Sequence, residues 1–276
     1  MTRTGLWLSL CALVGGLQSM AALAQTGELV PQEELRVCAD PANLPFSNEK
    51  GEGFENRIAQ IMGDALGLPV RTIFFPQVQG FVRNTLGLRR CDLVMGTVAS
   101  DEVMQNTNPY YHTTYVAVFR SDSPAPPEDF ADPAQRALRF GVVARTPPVD
   151  LLARAGLLDR TRSYALVVDT RVEAPAAQML RDLASGEIDV ALVWGPIAGY
   201  QIHVQHLPLT MRALPSAPGA ARMDYRITMG VRANEPQWRR RVNAAIRDRQ
   251  AEITAVLRDF GVPLFDASGR ISTTTP

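Results

Sequence analysis

The chain has 276 residues, 46% of them hydrophobic and 20% charged, and its 28 basic and 28 acidic side chains cancel to a formal net charge of zero. That length fits one large domain or two modest ones, and the charge balance favours neither nucleic acid nor an anionic membrane surface as a partner. Lys50 is the only lysine, so the basic set is almost wholly arginine, a compositional bias and not a phosphate-binding device.

In chain order, Arg3 precedes an apolar stretch from Leu6 to Leu17, and Ala22-Leu23-Ala24 supplies a small-x-small cleavage site. This is the pattern of a cleavable export signal over residues 1–24, and the apolar stretch is too short to span a bilayer. The mature protein is expected to begin near Gln25 with a linker over 25–34, to reach the periplasm and to keep no stable membrane insertion.

Leu35 to Ala39 reads as a strand, closed by the turn signal Asp40-Pro41. Phe54, Ile58, Ile61, Met62, Ala65 and Leu66 recur at helical spacing, and Gly67 with Pro69 stops that helix. Val70 to Phe75 is a strand, Gln79 to Leu88 a helix, and Cys91 to Met95 a strand. Thr114 to Phe119 follows as a strand, after Pro109-Tyr110-Tyr111. Ser121 to Pro127 carries three prolines in seven residues, the composition of a domain boundary.

A second strand–helix series then runs through strands at 138–143, 164–168, 190–194 and 209–214, with helices at 148–155, 174–184 and 196–204. Tyr225 to Val231 is a strand suited to carry the chain back, and Glu235 to Asp259 reads as one long amphipathic helix. Alternating strands and helices imply parallel βαβ units. The organisation expected is therefore α/β, with one lobe from 35–119 plus 225–265, an inserted lobe from 120–224, a flexible tail over 266–276 and a hinge of two crossing strands. Such a layout gathers strand ends of both lobes around one cleft.

Export makes the cysteines informative. Cys11 leaves with the signal, so Cys38 and Cys91 remain as a pair. An oxidising compartment favours a disulfide between them; two buried free thiols are the alternative. Two cysteines with no nearby histidine do not complete a metal site. His112, His203 and His206 sit in no nucleophile or metal motif, and no Gly-x-Ser-x-Gly, phosphate loop or calcium loop is present. Glu49, Glu52 and Glu55 lack metal-loop spacing and read as a charged loop and helix start. No catalytic residue, cofactor or metal is expected, and the chain is not read as an enzyme.

The order of Gly53-Phe54-Glu55, Cys91 to Met95, Pro109-Tyr110-Tyr111, Asp189-Val190-Ala191 and Tyr225 to Val231 resembles the two-lobed type II periplasmic binding protein fold. Closer still, Leu35 to Pro41, Leu44 to Asn48, Gly51 to Asn56, Gly80 to Leu86 and Cys91 to Gly96 resemble the MxaJ/XoxJ family, most clearly before Arg120. That resemblance implies a periplasmic accessory protein of a quinoprotein (pyrroloquinoline quinone, PQQ) methanol dehydrogenase, acting by protein binding in its maturation or activation, with the associated cytochrome c as a second candidate partner.

Amino-acid-binding relatives of this fold clamp the ligand carboxylate with an arginine and the ammonium with an aspartate. Their positions fall here on Ser100 and Trp194, so both charged anchors are missing. An aromatic cleft is expected instead, from Phe46, Phe81, Tyr110, Tyr111 and Trp194, with Arg83 and Arg145 as candidate anion contacts. The competing reading is a solute receptor of an ABC transporter, for a small uncharged or aromatic-compatible solute.

Overall fold

Apolar strands alternating with amphipathic helices build two α/β lobes on one continuous sheet. The computed structural model describes residues 33–98, 104–216, 219–266 and 270–272. The expected export signal and Ser100 lie outside the described residues.

The first lobe opens with β1 (Leu35–Ala39), a short hairpin of β2 (Ala42–Asn43) and β3 (Ser47–Asn48), and the helix α1 (Phe54–Leu66). β4 (Val70–Phe74), a single helical turn α2 (Phe81–Asn84) and β5 (Leu93–Thr97) follow. β1 lies between β4 and β5, parallel to both. α1 begins where the Asn56 Oδ1 accepts the Gly53 N–H, and it ends at Gly67, whose φ of 68° is a left-handed cap. Phe54, Ile58 and Met62 bury its apolar side.

β6 (Met104–Arg120) is 17 residues long and belongs to both lobes. The second lobe adds β7 (Phe140–Val143), α3 (Pro147–Arg154), β8 (Thr161–Tyr164), α4 (Pro175–Ala184), β9 (Val190–Trp194), α5 (Gly195–His203) and β10 (Leu209–Ala213). β11 (Asp224–Arg232) returns to the first lobe, and α6 (Pro236–Asp248), α7 (Gln250–Asp259) and the small ribbon of β12 (Leu264–Phe265) and β13 (Ile271–Ser272) complete the described chain. Met104–Thr114 of β6 pairs antiparallel with β11, and the distal part pairs with β9 and β10. The strand order is therefore β4-β1-β5-β11-β6-β9-β7-β8, with β10 also on β6.

Several elements differ from the sequence expectation. The strand expected over 164–168 lies earlier, as β8 (Thr161–Tyr164). The strand expected from Thr114 starts at Met104 and takes in Pro109, which faces Thr228 where the β11 register shifts. A residue without an N–H is tolerated at such an irregularity. The helix expected over 79–88 is one turn, because the Thr85 hydroxyl donates to the Phe81 carbonyl at 2.6 Å and Thr85 leaves the helical region. The helix expected over 235–259 breaks at Arg249, which has φ −112° and ψ 14°. No glycine or proline announces that break; beyond it, Gln250 Nε2 donates to the Tyr110 carbonyl of β6 at 2.9 Å.

A charged cluster fastens the first lobe. Asp92 is fully buried, receives a bidentate pair from Arg36 of β1 at 2.7 and 2.8 Å, and receives Arg232 of β11 at 2.6 Å. Arg232 also pairs with buried Glu235 at 2.7 Å, and Trp238 of α6 donates to the Asp92 carbonyl at 2.9 Å. Beside this cluster Cys38 and Cys91 form a disulfide with a Cα–Cα distance of 5.6 Å.

Arg232→Met leaves Glu235 buried with only the more distant Arg89, 3.3 Å away. It should cost about 3–5 kcal/mol of unfolding free energy, since it strands a desolvated charge; urea melts check this. Cys38→Ala with Cys91→Ala should cost roughly 2–4 kcal/mol, because the bridge constrains a long loop of the unfolded chain. A midpoint unmoved by reduction of the wild type would contradict that value.

Candidate functional site

Between the lobes lies a cleft of about 1070 Å³. Its floor and hinge wall come from strands that meet at β6. Tyr111 and Tyr115 stand four residues apart on that strand, on one face of it. Trp194, at the end of β9, sits opposite Tyr115 in register, and their rings meet edge-on at 4.9 Å. Tyr225 of β11 completes the set, 5.9 Å from Trp194 and 6.4 Å from Tyr115. Edge-to-face contacts at these separations fix ring orientation, and all three residues line the cleft.

The first-lobe lip is the segment after β1. Phe46 packs on Phe54 at 5.3 Å, and Phe54 packs on Tyr111 at 6.3 Å. The opposite lip is the segment between β8 and α4, including Ala165, Leu166, Val168 and Thr170. Leu44, Val98 and Leu166 line the cleft while 36%, 55% and 47% exposed, which gives the mouth an apolar rim.

A polar link crosses the cleft. Asp40, fully buried at the end of β1, accepts the backbone N–H groups of Ala42 at 2.8 Å and Gln77 at 2.6 Å. Thr170 of the second lobe donates to the same carboxylate, at 2.8 and 3.0 Å to its two oxygens. A hydroxyl bonded to an ionised carboxylate is a strong hydrogen bond, and it holds the two lips together.

The floor also holds a carboxyl group. Glu55, in the first turn of α1, is 5% exposed and lines the cleft. Burial alone pushes its pKa up to about 8, so near neutral pH it is mostly uncharged. Its place near a helix N-terminus favours the anion by about 1 kcal/mol, less than the desolvation that opposes it. Gly96 faces it from β5 with φ 68°, and a Cβ there would run into Oε1 of Glu55. The Tyr110 hydroxyl accepts the Gly96 N–H at 3.2 Å, and burial raises the Tyr110 and Tyr111 pKa values well above the usual tyrosine range.

Of the residues singled out from sequence, Phe46, Tyr111 and Trp194 line the cleft. Tyr110 lies beneath, fully buried, its ring 4.8 Å from that of Tyr111. Phe81 packs in a separate core with Leu86 and the disulfide, while Arg83 is exposed on α2. Arg145 is exposed at the start of the β7–α3 corner with φ 60°, outside the cleft lining; Thr146 lines it instead. Sequence reading missed Tyr115, Tyr225, Thr170 and Glu55. The spacing of Tyr111 and Tyr115 on one strand was an available signal for the first.

Among the described residues no group of three or more His, Cys, Asp or Glu could hold a metal ion. No described helix is long and apolar enough to cross a membrane. The cleft thus offers aromatic side chains, an apolar rim and a buried carboxyl, while the other charged residues of its lining, Glu49, Lys50, Glu173 and Arg181, are exposed.

The sequence profile of the bacterial extracellular solute-binding protein family matches residues 93–262. Protein MoxJ of Paracoccus denitrificans is 26% identical over 269 residues, covering 92% of this chain and 98% of that protein. The crystal structure of periplasmic binding protein XoxJ from Methylobacterium extorquens AM1 is 40% identical, with a TM-score of 0.71, covering 84% of this chain and 99% of that one. The crystal structure of MxaJ from Methlophaga aminisulfidivorans MPT shares the fold at 24% identity and a TM-score of 0.70, covering 83% of this chain and 99% of that one. The two-lobed fold, the matched profile and these relatives together place the chain in the bacterial extracellular solute-binding protein family and, within it, in the MxaJ/XoxJ family.

Proposed function

We propose that the protein is a periplasmic, non-enzymatic accessory protein of a PQQ-dependent methanol dehydrogenase, and that it acts in maturation or activation by receiving a segment of that enzyme in its cleft. The carrying observation is the cleft wall of Tyr115, Trp194 and Tyr225 behind an apolar rim. Solute receptors for charged nutrients need paired ionic anchors, since burying either charge alone costs several kcal/mol. Large aromatic faces are instead the groups that carry binding energy in protein interfaces.

Similarity to MoxJ, XoxJ and MxaJ supports the association with methanol oxidation, and XoxJ, itself a periplasmic binding protein, supports the compartment. The cytochrome c that serves such a dehydrogenase is a second candidate partner. Exposed apolar side chains at a concave mouth are a common mark of a docking surface. The enclosed volume also suits a second reading, a receptor for a small uncharged or aromatic solute.

The test is direct binding of the mature protein to the purified dehydrogenase by interferometry. Saturable binding is expected, and Trp194→Ala with Tyr225→Ala should weaken it about 30-fold, the loss of roughly 2 kcal/mol typical of central aromatic contacts. No binding to the enzyme or its precursor, together with saturable thermal stabilisation by a small neutral solute, would overturn the first reading in favour of the second.

A further inference from the structure

Among the described residues, Glu55 is the buried acid of the cleft that the fold does not use. Asp92 and Glu235 are consumed by arginines, Asp182 by Tyr164, Gln178 and Arg162, and Asp40 by Thr170 and backbone N–H groups. The Glu55 carboxyl has no hydrogen-bond or ion-pair partner among the described residues, although it is only 5% exposed. The nearby Arg57 is drawn away, its guanidinium lying over the Phe260 ring at 4.9 Å. The cations of the cleft, Lys50 and Arg181, are exposed side chains, and Arg181 is bonded to Gln178.

A largely buried carboxyl that faces the cleft is costly to ionise while no cation stands against it. Its cost is recovered when a ligand supplies the missing partner. The aromatic rings around the floor select the kind of partner, because π faces attract a desolvated cation. A metal ion is a poor match, since hard cations need several oxygen ligands and a single carboxyl stands at the floor.

We propose that the Glu55 carboxyl, with Tyr111 on the same floor, is the receptor for an organic cation, a guanidinium or ammonium group that enters the cleft between the aromatic walls. The cation is carried by a free solute or by a basic side chain of a docking protein segment. Binding ionises Glu55 and expels its proton to solvent, so the complex contains a carboxylate–cation pair. Tyr110 and Tyr111 of β6 feel its charge, and the other titratable groups of the cleft lining are Tyr115 of β6, Tyr225 of β11, Glu49 and Lys50 of the first-lobe lip, Glu173 and Arg181 of the second lobe, and Tyr200 of α5. None of these charges is a cause of the raised Glu55 pKa, which stems from burial.

The experiment is calorimetry of the whole mature protein with n-butylguanidinium, with neutral n-butylurea, and with the purified dehydrogenase, across pH 6 to 9. Because the raised Glu55 pKa is about 8, cation affinity should rise about tenfold per pH unit below that value and level off above it, with a proton released near pH 7. Glu55→Gln should abolish that rise and weaken the cation at least tenfold, while n-butylurea is indifferent to both. In the apo wild type, folded-state protonation of Glu55 stabilises fully below about pH 4.5 and is lost as pH rises to about 8. Its melting temperature should therefore fall across that window, and Glu55→Gln should flatten the fall.

A pH rise and Glu55→Gln sensitivity seen with n-butylguanidinium assign the cation to a free solute. The same behaviour seen only with the dehydrogenase assigns it to the partner. Cation binding and dehydrogenase binding that both ignore pH and Glu55→Gln would overturn the inference. Dehydrogenase binding lost in the Trp194 and Tyr225 variant but intact in Glu55→Gln would leave the protein-docking function standing without it.

Discussion

The architecture depends on one strand serving both lobes of a continuous sheet. β6 spends its first part on β11 and its last part on β9 and β10, so its backbone must be matched by the first lobe along one part and by the second lobe along the other. That requirement fixes how β9 ends beside β6 and how β11 re-enters the first lobe. It therefore fixes the positions of Tyr111, Tyr115, Trp194 and Tyr225, the rings that make the cleft wall. The buried Asp92 cluster and the Cys38–Cys91 bridge act further back, where they hold β1, β5 and β11 in the arrangement that presents this wall.

The chemistry of the cleft follows from what has been removed as much as from what is present. An arginine clamp and an acidic anchor would make the site a receptor for zwitterions. Trp194 instead contributes a large apolar face, and the acid left at the floor is kept mostly uncharged by desolvation. The Asp40–Thr170 bond joins the lips with a single charge-assisted contact. A contact of that kind is worth about 1.5–3 kcal/mol, a cost that docking of a segment can overcome. The lips are thus joined by a contact of the protein's own, beside an apolar rim that stays exposed.

Much of this was legible in the residues. The βαβ alternation, the amphipathic α1 with its Gly67 stop, the paired cysteines and the returning strand all have local signals, because local geometry and compartment chemistry decide them. The family resemblance carried the fold, and of the aromatic set expected at the cleft, Phe46, Tyr111 and Trp194 line it while Phe81 and Tyr110 do not. Features that depend on tertiary competition were not legible. The break at Arg249 carries no helix-breaking residue, and the shortening of α2 depends on a side-chain hydroxyl capturing a carbonyl. Glu55 reads as an ordinary first-turn acid, because sequence spacing does not show that Gly96 opens space for it or that no cation among the described residues pairs with it. Arg83 on its helix and Arg145 after its strand are candidate anion contacts by sequence, yet both are exposed, on α2 and at the β7–α3 corner, and lie outside the lining.

If the cleft, and not an outer helical face, receives the protein partner, docking must shield the lips from solvent. Hydrogen exchange of the mature protein with and without the dehydrogenase tests this most directly. Added protection is expected only at the two lips, residues 40–48 and 165–177, and at the start of α5 behind Trp194. Protection confined to α6 and α7, with the lips unchanged, would contradict docking in the cleft.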